Sequence, residues 1–237
     1  MTDQTLPSIT RMRHELVRRS LTVAATERLT PHMQRITLTG PDLAGFQSAG
    51  FDDHIKLMVG GEARRDYTPR RFDAARGELV VDFALHDAGP ATLWAMNAVV
   101  GDAVMIGGPR GSAVIGGAIG QWLMVGDETA LPAIGRRIED GGAVRAVVAV
   151  PGPADEQDLP GVTWVHRDAA LAGDAAPLLA AVQGLDVAPG TFVWIAAEAS
   201  VARALRGYFL DSVGVPLGWI KASGYWVQGQ ADRTENF

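Results

Sequence analysis

Apolar and polar residues alternate through much of the first half of the chain. Leu21 and Val23, Ile36 and Leu38, Ile55, Leu57 and Val59, Val81 and Phe83, and Val104 and Ile106 each recur at a spacing of two. That spacing turns all the apolar side chains of a strand toward one face. The segments SLTVAATERLT, MQRITLTG, HIKLMVG, RRDYTPRRFD, GELVVDFAL and DAVMIGG, punctuated by Gly, Pro and Asp, therefore predict an antiparallel barrel or sandwich between Ser20 and Ile115. One helix interrupts them, predicted from about Thr92 to Val99.

Beyond the glycine-rich stretch 111–120 the rhythm changes. Strand candidates WLMVG, VRAVVAV, VTWVH, FVWIA and a last one near LGWIK alternate with helix candidates LPAIGRRIED, PLLAAVQGL and SVARALRGYFLDS. Such alternation predicts an open, mostly parallel α/β sheet with helices on both faces. The expectation is thus a two-domain chain, 1–118 and 119–237, which a length of 237 residues accommodates with a core for each.

Composition narrows the function classes. A formal charge of −6 without a long basic stripe argues against general nucleic-acid binding. No apolar span is long enough to cross a bilayer, and the start lacks the apolar stretch of a secretion signal, so a cytoplasmic location without membrane insertion is expected. The absence of cysteine excludes thiolate catalysis and cysteine-ligated iron–sulfur clusters. Electron transfer would need a bound organic cofactor. His54 and His86 are too sparsely accompanied to make a metal site, and no GxSxG pattern offers a nucleophile.

The run Arg65-Asp66-Tyr67-Thr68-Pro69-Arg70 carries the most chemistry. In an extended strand Arg65, Tyr67 and Pro69 would face one way and Asp66, Thr68 and Arg70 the other. Tyr67 can pack on an isoalloxazine ring, Thr68 can hydrogen-bond near its redox-active nitrogen, and an arginine can bind a pyrophosphate. A surface turn with solvated arginines is the competing reading. Next, His86-Asp87-Ala88-Gly89-Pro90-Ala91-Thr92 opens an apolar-patterned helix, whose free amides and Thr92 hydroxyl suit an anion or simply a capped helix. In the second half, Met124-Val125-Gly126-Asp127-Glu128-Thr129 is a strand entering a helix, the place where open α/β folds bind nucleotides. Trp194-Ile195-Ala196-Ala197-Glu198 is a second strand end that would line the same cleft.

Together these segments resemble the siderophore-interacting protein family, flavin-dependent ferric-siderophore reductases of the ferredoxin-NADP reductase superfamily. The resemblance spans RITLTGPDLAGF, DDHIKL, RDYTPRRFD, VDFALHDAGPATLWAM, GDAVMIGGPRG, VGDETALPAI, WIAAEASVARALR and GYWVQG. It implies an FAD-binding barrel over 1–118 and an NAD(P)H-binding domain over 119–237. It implies flavin contacts from Arg65, Tyr67, Thr68 and Arg70, with Tyr67 and Thr68 at the redox centre, and from His86, Gly89, Pro90, Ala91 and Thr92. The nicotinamide side falls on Asp127, Glu128, Thr129, Pro132, Ala197 and Glu198. Lys56 resembles a basic residue that approaches an anionic iron chelate. Where the family usually carries a basic residue after Gly224-Tyr225-Trp226, this chain has Val227 and Gln228, and Lys221 is the candidate replacement. The implied activity is NAD(P)H-dependent reduction of a ferric siderophore by a monomer, or of ferric chelates and flavins more broadly. A flavin-containing chelate-binding protein without enzymatic activity is the further alternative.

Overall fold

A computed structural model describes residues 6–59, 63–85, 89–230 and 233–237. The chain divides into two compact units, Ile9–Val114 and Ile115–Phe237, the latter joined by the short segment ending at Ser8.

In the first unit, β1 (Ser8–Arg13) pairs with β9 (Gly111–Gly116) as a separate ribbon. The remaining strands are β2 (Arg18–Thr30), β3 (Met33–Thr39), β4 (Ile55–Val59), β5 (Ala63–Tyr67), β6 (Pro69–Asp73), β7 (Glu78–Ala84) and β8 (Ala103–Gly107). They form one antiparallel sheet in the order β5-β4-β8-β2-β3-β7-β6. Its two edge strands, β5 and β6, are consecutive in the chain and separated by Thr68 alone. In a flat sheet the two edges would lie roughly 29 Å apart, six strand spacings. Two peptide steps span at most about 7.6 Å. The sheet therefore has to curl until its edges meet at Thr68, and the expected barrel follows from connectivity as much as from twist. The alternating residues Leu21, Val23, Ile36, Leu38, Ile55, Leu57, Leu79, Val81, Phe83, Val104 and Ile106 fill the interior. Helix α1 (Pro90–Asn97) packs beside β3, β4, β5 and β7.

The second unit holds β10 (Gln121–Asp127), α2 (Leu131–Glu139), β11 (Val144–Val150), β12 (Val162–His166), α3 (Ala176–Gln183), β13 (Thr191–Glu198), α4 (Ala199–Gly207), β14 (Ile220–Trp226) and β15 (Glu235–Asn236). Strand order is β12-β11-β10-β13-β14-β15, parallel except for β15. Order reverses between β10 and β13, which makes their carboxyl ends the topological switch point. With right-handed crossovers α2 covers one face and α3 and α4 the other.

Several differences from the sequence reading have local causes. RRDYTPRRFD is two strands, because Pro69 cannot donate to a ladder and the chain turns the barrel corner there. Glycine-rich 111–120 contains β9, since Gly111 is a close-approach glycine whose Cβ would collide with the Met12 carbonyl. The last strand starts at Ile220 and runs on to Trp226, Leu217–Trp219 being a 3-10 turn. The helix predicted over 200–212 closes at Gly207 and widens into a π turn over Tyr208–Val213.

Gly126, at the end of β10, fits for the same reason as Gly111. A Cβ there would stand 2.5 Å from the Ala130 Cβ and closer still to the Ala196 carbonyl oxygen. Gly126→Ala is expected to lower unfolding free energy by about 1–3 kcal/mol. Urea melts of the two proteins test this, and an unchanged midpoint would contradict the packing.

Candidate functional site

Tyr67, Thr68 and Arg70, three of the predicted flavin residues, lie together at the barrel seam. β6 bulges between Pro69 and Arg71, so Arg70 is the extra residue on that strand. The expected alternation along 65–70 breaks down as a result: Thr68, Pro69 and Arg70 are all buried in succession, while Tyr67 is half-buried. The ring of Tyr67 lies 4.4 Å from that of Phe83, which in turn lies 5.6 Å from Trp94 on α1. Burial raises the Tyr67 phenol well above its usual range, against the opposing pull of Arg65, so Tyr67 is a neutral ring at any working pH. Arg65 donates to the Arg64 carbonyl.

Arg70 is held by Asp82, an Nε–Oδ2 separation of 3.9 Å. Asp82 is 4 % exposed and also takes both forks of Arg35, at 2.7 and 2.8 Å. Arg35 and Asp82 stand directly opposite each other on β3 and β7. Neither was assigned a role from sequence, although a lone carboxylate within the apolar run Leu79-Val80-Val81-Asp82-Phe83 is the signal that pointed to it.

Helix α1 begins with Gly89 as its cap and Pro90 as its first residue. Among the described residues no side chain caps it, and as first-turn groups the amides of Ala91 and Thr92 lack intrahelical partners. Thr68 and Thr92 are both buried, and among the described residues neither hydroxyl has a partner within the chain. His86 lies outside the described residues. Lys56 forms a 2.7 Å ion pair with its cross-strand neighbour Asp66.

In the second unit the switch point is organised by one carboxylate. Asp127 is 2 % exposed and accepts four hydrogen bonds. Oδ1 receives the Thr129 amide at 3.0 Å and its hydroxyl at 2.5 Å, and Oδ2 receives the Glu198 amide at 2.9 Å and the Trp226 indole at 3.0 Å. Its lone pairs are spent inside the chain, so it shapes the site from beneath. Glu198 caps α4, accepting from the Ser200 amide and hydroxyl, the Val201 amide and the Gln228 amide. Burial alone would raise its carboxyl, but the bonds from Ser200, Gln228 and Val201 outweigh that and hold it below its ordinary range.

Next to Asp127, Glu128 makes a buried 2.7 Å pair with Arg167. Burial and then the neighbouring Asp127 raise the Glu128 carboxyl to about 7, against the attraction of Arg167. Lys221 is elsewhere. It pairs in register with Trp194 near the amino end of β14, five positions and roughly 17 Å from Trp226 at the carboxyl end. The structure does not bring it to the switch-point edge.

Comparison with known proteins now adds to this geometry. The siderophore-interacting FAD-binding domain profile matches 22–65 and 61–113, and the siderophore-interacting protein profile matches 120–229. An Escherichia coli K12 protein named NADPH-dependent ferric-chelate reductase is 35% identical over 91% of this chain and 95% of its own. The chain belongs to the siderophore-interacting protein family. The crystal structure of a siderophore utilization protein from T. fusca covers 96% of this family member and 98% of its own chain, with a TM-score of 0.86 and 33% identity. The siderophore-interacting protein SipS from Aeromonas hydrophila follows at a TM-score of 0.79 and 29% identity, covering 93% and 94%. These matches run through both units, so this siderophore-interacting protein has the barrel and the α/β sheet of its relatives.

The raised carboxyl of Glu128 has a measurable consequence. Between about pH 4.5 and 7 the folded chain keeps a proton that the unfolded chain has lost, so this group's contribution to stability falls as pH rises through that window and is flat above it. Glu128→Gln is expected to remove that component. The slope of unfolding free energy against pH should become less negative by up to about 1.4 kcal/mol per pH unit. Urea melts across the window decide it, identical slopes counting against the assignment.

Proposed function

We propose that this chain is an NAD(P)H-dependent flavoprotein reductase acting on ferric iron chelated by a siderophore or a similar ligand. The observation that carries the reading is the barrel seam, where two buried threonines whose hydroxyls bond no other described residue, and helix amides without intrahelical partners, accompany Tyr67 and Arg70. That donor set fits FAD: a half-buried phenol ring for the isoalloxazine, hydroxyl and amide donors for its polar edge and phosphates, and a guanidinium for the pyrophosphate. In this reading 1–118 is the FAD-binding domain and 119–237 the NAD(P)H-binding domain, and the working form is a monomer in the cytoplasm.

FAD when bound supplies the exchange between a two-electron hydride donor and a one-electron acceptor. The chain's own residues position and tune. Tyr67, steadied by Phe83, presents a neutral ring; Thr68 donates or accepts a hydrogen bond at the seam; Asp82, anchored by Arg35, keeps the Arg70 guanidinium oriented. Gly89, Pro90, Ala91 and Thr92 place amides and a hydroxyl toward an anion, and Arg65 and His86 complete the proposed flavin contacts. Asp127, Thr129 and Glu198 shape the nicotinamide end, Asp127 and Glu198 by holding the backbone around them. On the substrate side, one electron converts ferric to ferrous iron, which hard oxygen donors hold less tightly, and the iron leaves without hydrolysis of its chelator.

A specific observation favours broad chelate use. Of the two basic residues proposed to meet the substrate, Lys56 is paired to Asp66 and Lys221 sits at the far end of its strand. A relative bearing the name ferric-chelate reductase agrees with this. Lys56→Ala is expected to raise KM for an anionic ferric chelate only about two- to fivefold at low salt, with Lys221→Ala unchanged. Steady-state rates on anionic and neutral chelates test both; a large Lys221 effect would reverse the assignment.

The function itself is tested by loading the protein with FAD and mixing it anaerobically with NADH or NADPH. Bleaching of the flavin absorbance is expected, followed by re-oxidation when ferric citrate, catecholate or hydroxamate complexes are added, with ferrous iron captured by a coloured chelator. A flavin that neither nucleotide bleaches would leave only a chelate-binding flavoprotein.

A further inference from the structure

Three strand ends meet over Asp127, and what they hold in place is an aromatic ring. Trp226 stands at the carboxyl end of β14, its backbone opposite Glu198 on β13. Its indole Nε1 reaches Asp127 Oδ2 on β10, two strands away, at 3.0 Å. The side chain therefore crosses the carboxyl end of β13, at the point where strand order reverses. The residue is half-buried.

We infer that Asp127 is a positioning residue that pins Trp226 across the end of β13, where the indole forms a fixed aromatic wall for the planar ring of the nicotinamide nucleotide. This rests on the proposal that the second unit binds NAD(P)H. Because the indole N–H is committed to Asp127, the ligand meets a π-face and ring edge rather than a hydrogen-bond donor. Stacking of that kind is blind to the 2′-phosphate. The wall therefore contributes equally to NADH and NADPH affinity, and selection between them lies elsewhere.

Asp127 is suited to the task by its charge as well as its position. Each of its oxygens accepts from two donors, Thr129 on one side and Glu198 and Trp226 on the other. An asparagine in either orientation would turn an NH2 group against two donors, so Asp127→Asn has to release one side. A single carboxylate thus fixes the indole, the start of the turn after β10 and the start of α4 together.

Calorimetric titration of the FAD-loaded protein with NAD+ and NADP+ tests the inference without turnover. Trp226→Ala is expected to weaken both nucleotides about tenfold, the order for one stacked ring, and Trp226→Phe by no more than about threefold. Asp127→Asn is expected to approach the Trp226→Ala loss and to add little in a Trp226→Ala background. Should Asp127→Asn fail to fold, the two Trp226 variants carry the test, supported by Thr129→Val, which removes one donor to Asp127 and is expected to weaken binding by a smaller factor. Wild-type binding with undiminished affinity in Trp226→Ala would overturn the aromatic wall. An Asp127→Asn loss that is as large without Trp226 as with it would overturn the positioning role. No binding of either nucleotide to the wild-type protein would instead overturn the proposed function on which both rest.

Discussion

A seven-stranded sheet whose two edges are joined by a single residue has no choice but to close. That constraint governs the first unit. Thr68 links β5 to β6, with Tyr67 before it and Pro69 and Arg70 after it. Elsewhere each strand has two neighbours and its backbone groups are taken up in ladders. At the seam the two edge strands, which do not ladder with each other, meet in a tight corner. The bulge at Arg70 follows from the same geometry, because the strand must bend and re-aim a side chain as it leaves the corner. Burial of Asp82 beneath Arg35 and Arg70 then gives that side chain a fixed direction.

The second unit solves its own version of the problem with one buried carboxylate. Parallel strands all present carbonyl ends at one edge, and at the switch point the loops diverge, leaving backbone amides without strand partners. Asp127 and Glu198 take those amides up. Between them they satisfy donors from Thr129, Glu198, Ser200, Val201, Gln228 and Trp226. A carboxylate so committed costs desolvation, which the number of accepted bonds offsets. Glu128 has less support: burial and the neighbouring Asp127 raise its carboxyl, and among the described residues Arg167 is its one ion-pair partner.

The alternation of Ile36 and Leu38 or Leu57 and Val59 made the barrel strands legible, and the continuous apolar runs Trp122–Val125 and Phe192–Ala197 did the same for the parallel sheet. Period and burial are properties a sequence displays directly. What stayed hidden depends on atoms far apart in the chain. Gly111 read as punctuation after a strand and Gly126 as the glycine that ends one, whereas each is small because another backbone or side chain approaches it. The corner at Thr68 read as one strand because nothing local announces that two sheet edges meet there. Tyr67, Thr68, Arg70 and Thr92 stood out as flavin candidates by their types and order. The ion pair of Asp82 with Arg70 and the bond that holds Trp226 on Asp127 join residues 12 and 99 positions apart, which no local pattern displays.

We propose that the flavin sits at the seam between β5 and β6, with the start of α1. Hydrogen exchange measured by mass spectrometry on the FAD-free and FAD-loaded protein addresses it directly. Strong added protection is expected in peptides covering 64–72 and 89–97. Tight FAD binding that leaves both of those segments unprotected would contradict it.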